Sequence, residues 1–137
     1  PTKEKFKTSV LDYHFYELMR IYWNALEHEN SILFVMGFSF ADEHIAQITK
    51  RAVDTNPTLL VVVFAYSDKD EKGYKKNLQI EHGCSNNNIL ILTPTKFKEF
   101  NNEKYNELCS KVSNFDLKTI NLLFKEISNN IHSCYGA

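Results

Sequence analysis

From residue 9 to residue 29 the apolar positions Val10, Leu11, Tyr13, Leu18, Met19, Tyr22, Trp23 and Leu26 recur at helical spacing, which predicts a helix capped by Thr8 or Ser9. At Ser31 the period changes. Ile32–Met36 is a short continuous apolar run, predicted as a buried strand, and it ends on Gly37. A second helix is expected to open near Asp42, turn Ile45, Ile48 and Val53 inward, and stop at Asn56-Pro57. Residues 59–65 hold almost no polar group, so the second strand should be covered on both faces. Ser67 or Asp68 would then cap a helix through Tyr74, Leu78 and Ile80 that Gly83 terminates. A turn at Asn86-Asn87-Asn88 leads to the third strand, Ile89–Leu92, and to Thr93-Pro94-Thr95. Two amphipathic helices, at 96–112 and 117–129, and a frayed tail from 130 to 137 complete the reading.

The alternation α-β-α-β-α-β-α-α implies the α/β class: a three-layer, Rossmann-like half with a three-stranded parallel sheet, right-handed crossovers and helices on both faces. A whole doubly wound domain has two such halves, with its ligand in the crevice between them. Three strands amount to one half.

The same layout singles out the stretch around Gly37. A strand that breaks at glycine and passes into a helix N-terminus is the usual construction of a nucleotide pocket. Glycine lets a ligand approach the backbone, and the helix start presents unpaired N–H groups. The pattern is not a G-x-G-x-x-G fingerprint, and a plain strand-to-helix turn stands as the alternative.

Composition narrows the partners. The chain has 137 residues, 43% hydrophobic and 24% charged, as expected of one globular domain. A net charge of −1 provides no field for nucleic acid or a membrane surface. The lysines at 3, 5 and 7 and at 69, 72, 75 and 76 are interleaved with acids and read as solvated faces. No apolar run suits a bilayer span. The three cysteines lack metal spacing and fit free thiols in a cytoplasmic protein. His14, His28 and His132 show no ligand spacing either, so no metal is expected. The chain begins at Pro1 rather than at methionine, which suggests a piece of a longer protein.

The run Gly37-Phe38-Ser39-Phe40-Ala41-Asp42-Glu43-His44-Ile45 resembles the Gly-Tyr-Ser-Phe-x-Asp-Glu-His-Ile pattern of bacterial sirtuin-like domains, with Phe38 in place of tyrosine. The resemblance extends upstream to the segment 1–6 and downstream through Ala52, Asn56 and Pro57. It implies that residues 1–100 are the C-terminal half of a sirtuin-like Rossmann domain and that 101–137 form a helical extension packed on it. It further implies NAD as ligand or substrate. The full-length protein would hydrolyse NAD to nicotinamide and ADP-ribose in anti-phage defence. By the match, Gly37, Phe38, Ser39 and Phe40 lie against the cofactor, Ser67 and Asp68 fall where the adenosine ribose is held, and 92–95 line the adenine edge. The family's glycine-rich Gly-Ala-Gly-x-Ser loop and its catalytic Asn and His have no counterpart here. The chain alone is therefore expected to lack an active site, with the missing N-terminal half as its first partner and a second copy as another. Two other readings stay open: a non-catalytic NAD or ADP-ribose sensor, and a protein-interaction module using the aromatic first helix.

Individual residues carry simpler alternatives. Ser39 could bond its own loop backbone. Asp42 suits an N-cap better than a ribose contact, since a carboxylate beside a pyrophosphate is repelled. Ser67 and Asp68 could be helix caps. Tyr66 is expected to close the core rather than stack on adenine, and Phe97, Phe100, Tyr105 and Phe124 are expected in the core too. His82 and Cys84 flank Gly83 as helix end and turn, with no third group to make them a nucleophilic pair.

Overall fold

The computed structural model describes residues 2–99, 110 and 112–135, with the side chains of 2–11 and 130–135 outside that description. Three strands form one open parallel sheet in the order β1-β2-β3: β1 is Ile32–Met36, β2 Leu60–Phe64 and β3 Ile89–Leu92. The chain is α/β, a Rossmann-like half with a three-stranded parallel sheet flanked by helices, as the alternation implies.

Sequential strand order puts the connecting helices on one face. α1 (Thr2–Glu27), α2 (Glu43–Thr55) and α3 (Glu71–Asn77) cover the side carrying Val35, Val61, Val63 and Ile91. Leu26 of α1, Ala52 and Val53 of α2 and Leu78 just after α3 are buried there. The other face carries Val62, Phe64 and Leu92, covered by Phe115 and by Ile120 and Leu123 of α5 (Leu117–Tyr135). β2 is thus sandwiched, which is why its run tolerates no polar residue. A polar clamp holds the amino end of the sheet. The buried Asn88 amide nitrogen donates to the carbonyls of Leu59 (2.8 Å), Asn56 (3.1 Å) and Val53 (3.2 Å).

Several element ends differ from the sequence reading. α1 already runs from Thr2, so Thr8 and Ser9 lie within it; lysine and glutamate favour the helix, and no glycine or proline breaks it between Thr2 and Ser9. α3 ends at Asn77 rather than at Gly83. Gln79 takes φ +54° there, its N–H returns to the Lys76 carbonyl, and the Ile80 N–H returns to the Lys75 carbonyl. That double closure is a Schellman motif with glutamine in glycine's usual position, held by burial of Leu78 and Ile80. α4 (Pro94–Glu99) starts at Pro94 instead of Lys96, because proline is pre-set for a first helical turn and Thr93 receives the Lys96 N–H. Val112 lies outside any helix, and 100–109 are outside the described residues. α5 continues through most of the tail expected to fray.

Candidate functional site

Parallel pairing brings the exits of all three strands to one edge. Met36 is level with Phe64, and Phe64 with Leu92, so Gly37, Ala65 and Thr93 follow side by side. Gly37 has φ +66°, a left-handed conformation that a side chain disfavours. Nothing stands within 4 Å of where its Cβ would be, so the backbone there is open to approach. Ser39 is exposed, its carbonyl accepts from Asn77 Nδ2 at 2.8 Å, and its hydroxyl makes no bond among the described residues. The aromatic residues of the loop point down. Phe40 is only 2% exposed, at φ +57°, and meets Phe38 edge-to-face at 5.2 Å and Tyr74 at 6.5 Å. The loop is therefore a polar rim on an aromatic base, with Gly37 and Ser39 outward and Phe38 and Phe40 inward.

Asp42 is an N-cap: its carboxylate accepts the N–H of His44 at 2.9 Å and of Ile45 at 3.1 Å. Two donors of the α2 start are thereby satisfied within the protein. His44 is exposed and sits edge-on to Phe15 at 6.1 Å. Ser67 is bonded to Asp70, whose Oδ2 accepts both its N–H and its hydroxyl at 2.9 Å. Asp68 reaches across to the exit of β3. Its Oδ1 accepts the Thr95 N–H at 3.0 Å and its Oδ2 the Thr95 hydroxyl at 2.9 Å. The sheet edge thus holds Gly37 and Ser39 on one side and an Asp68–Thr95 bridge on the other.

The influence of the Thr93 hydroxyl, then the hydrogen bonds from the Thr95 N–H and hydroxyl, holds the exposed Asp68 carboxyl below the ordinary carboxylate range. A depressed folded pKa means the bridge contributes above the unfolded pKa of about 3.9 and is lost as pH falls through the folded value. A carboxyl-carbon NMR titration should show Asp68 ionising below that value, and Thr93→Val should move it upward. An unchanged midpoint in the variant rules out Thr93 as the leading cause.

Tyr66 does not close the core. It is 57% exposed at the carboxyl edge, because Ala65 ends the buried run and only the Tyr66 carbonyl is tied down, by the Phe115 N–H at 3.3 Å. Phe97 and Phe124 border the α5-side core, whereas Phe100 and Tyr105 lie outside the described residues. The Asn77 tie and the Thr95 partnership with Asp68 had no signature in the sequence, since both join residues 27 or more positions apart.

Cavities flank the loop on its aromatic side. One of about 520 Å³ lies between α2 and the end of α3 and is lined by Phe40, Lys50, Arg51, Lys76, Asn77 and Gln79, among others. Lys50 is paired there with Asp54, and Arg51 lies over the Trp23 ring at 5.0 Å. Among the described residues no group of three or more His, Cys, Asp or Glu could hold a metal ion, and no helix is long and apolar enough to cross a membrane. No protein-family model, curated protein or solved structure matches this chain.

Proposed function

We propose that this chain is the C-terminal half of a sirtuin-like domain that binds NAD, and that the complete protein hydrolyses NAD to nicotinamide and ADP-ribose in anti-phage defence. The observation that carries the reading is the exit of β1. Gly37 is left-handed and open above, the Ser39 hydroxyl is free among the described residues, and both sit beside the exits of β2 and β3. That geometry suits a ribose or phosphate oxygen approaching the backbone at the carboxyl edge of a parallel sheet. Asp68 would meet a ribose only as a carboxylate already accepting from Thr95, so Gly37 and Ser39 carry more of the proposal than Ser67 and Asp68 do.

Cleaving the nicotinamide–ribose bond develops positive charge on the ribose, which a site must stabilise while guiding water to it. The groups for that task belong to the half bearing the glycine-rich loop, the Asn and the His. The 137-residue chain should therefore show no NAD turnover and at best weak binding of NAD or ADP-ribose. Robust turnover by the purified chain would overturn the assignment of catalysis to the other half. In the full-length protein, Ser39→Ala should cost about 0.5–1.5 kcal/mol of NAD binding if the hydroxyl meets a ribose oxygen, or about 1.5–3 kcal/mol if it meets a phosphate. Its melting temperature should hardly change. Normal binding with a lowered melting temperature would make Ser39 a turn residue and end the cofactor reading of this loop.

One observation favours the second reading, an interaction module: α1 exposes Tyr13 (63%) and Tyr16 (69%) beside Leu18 and Ile21. NAD turnover by the full-length gene product separates the two, because a pure interaction module shows none.

A further inference from the structure

α2 joins β1 to β2 and α3 joins β2 to β3, so the cleft between these helices lies over the middle of the sheet. It is set apart from the outer edge of β1, where another half-domain would attach. It meets the glycine loop only from beneath, through the buried Phe40. Its volume of about 520 Å³ falls in the range of small-molecule sites, roughly 300–1,000 Å³.

The floor of the cleft is apolar, formed by Phe40, Ala46 and Leu78, all buried. Gln47, Lys50, Arg51 and Asp54 follow one another at helical spacing, so a single face of α2 makes one wall. Lys76 and Gln79, at the end of α3, make the other. Asn77 holds this second wall in place by donating to the Ser39 carbonyl at 2.8 Å. The last carbonyls of α3, on Tyr74, Lys75 and Lys76, already accept the N–H groups of Leu78, Ile80 and Gln79. The negative end of that helix is therefore covered.

The charges in the cleft do not cancel. Lys50 is paired with Asp54. Glu43 is exposed in the first turn of α2, seven residues before Lys50 and so about 10 Å away along the axis. Arg51 and Lys76 have no carboxylate partner among the described residues. Arg51 lies instead over the Trp23 ring at 5.0 Å, which orients its planar guanidinium at the rim. The side-chain amides of Gln47 and Gln79 are likewise unbonded among the described residues. Two uncompensated cations with two free amides above an apolar floor suit a dianion carrying a small organic group. We propose that this cleft binds a phosphomonoester, with its phosphate between Arg51 and Lys76 and its organic part against the floor. The site depends on neither NAD nor the other half-domain.

An NMR titration of the 137-residue chain with inorganic phosphate, phenyl phosphate and acetate tests this, against chloride at matched ionic strength. Phosphate should give saturable shifts of the Arg51 Nε–H and of the Gln47 and Gln79 side-chain amides. Phenyl phosphate should bind more tightly than phosphate, because its ring meets the floor. Acetate, with one charge for two cations, should bind roughly fivefold more weakly or worse. Lys76→Gln and Arg51→Gln should each weaken phosphate by roughly fivefold, the size of one exposed ion pair. Lys72→Gln, exposed on α3 and outside the cleft, should change nothing. Lys76 is exposed and supports no core, so its variant carries the test even if loss of the Trp23 contact unfolds Arg51→Gln. Shifts that chloride reproduces overturn the proposal, as does binding indifferent to Lys76→Gln. Acetate binding as well as phosphate, or phenyl phosphate binding no better than phosphate, overturns it too. So do phosphate shifts confined to Gly37 and Ser39. None of these failures touches the NAD reading, which rests on the other side of the loop.

Discussion

Replacing Phe40 with alanine should destabilise the fold by about 3–5 kcal/mol, the range for removing a buried aromatic ring. The ring is 2% exposed and supports the loop from below through Phe38 and Tyr74. The backbone adds a second, opposing effect. Phe40 sits at φ +57°, where a Cβ crowds the following carbonyl at a cost of about 1–2 kcal/mol. Alanine keeps that strain and glycine removes it. Phe40→Gly should therefore be no less stable than Phe40→Ala, the reverse of the order found at ordinary positions. Urea unfolding of both variants measures it, and an alanine variant clearly more stable than the glycine one contradicts a strained backbone at Phe40. In the proposed NAD site, both variants should also loosen Gly37 and Ser39, because the aromatic base is what sets the height of the loop.

A loss of similar size is expected at the opposite end of the sheet. Asn88→Ala removes one side-chain amide that serves the carbonyls of Leu59, Asn56 and Val53, and Asn88 is only 7% exposed. The Leu59 carbonyl is left without a donor, at about 1–3 kcal/mol, while the Val53 carbonyl keeps Asn86 Nδ2 and the Asn56 carbonyl keeps the Leu59 N–H and each loses one hydrogen bond, at about 0.5–1.5 kcal/mol, so a total of about 3 kcal/mol is expected after partial relaxation. The denaturant dependence should keep its slope while the midpoint falls. Asn88→Leu should restore none of this, since added apolar volume cannot donate to three carbonyls. A leucine variant as stable as the parent protein would show that packing, rather than the amide, holds the start of β3.

Much of the architecture is local in origin and was legible in the chain. The apolar runs mark β1 and β3 at their true limits and β2 within a residue at each end, because a doubly covered strand admits no polar residue. Asp42 reads as a cap because its contacts lie two and three residues ahead. The break at Gly37 requires a positive φ, and the sequence marks it with the residue that adopts one most readily.

Tertiary contacts decided the rest. Gln79 closes α3 where Gly83 looked the better candidate, because the core anchors Leu78 and Ile80 on either side of it. Phe40 is driven under the loop at a strained φ by burial against Phe38 and Tyr74. Tyr66, apolar enough for a core, is left outside because the buried run ends one residue earlier. Asp68 could equally have been a cap or a ligand contact by its position. Only the parallel register, which sets the exits of β2 and β3 side by side, hands its carboxylate to Thr95. Periodicity and turn chemistry act over a few residues, so the sequence by itself determined the elements and the glycine-centred loop. Which polar groups meet across that loop depends on strands some thirty residues apart in the chain, and only the assembled sheet decided it.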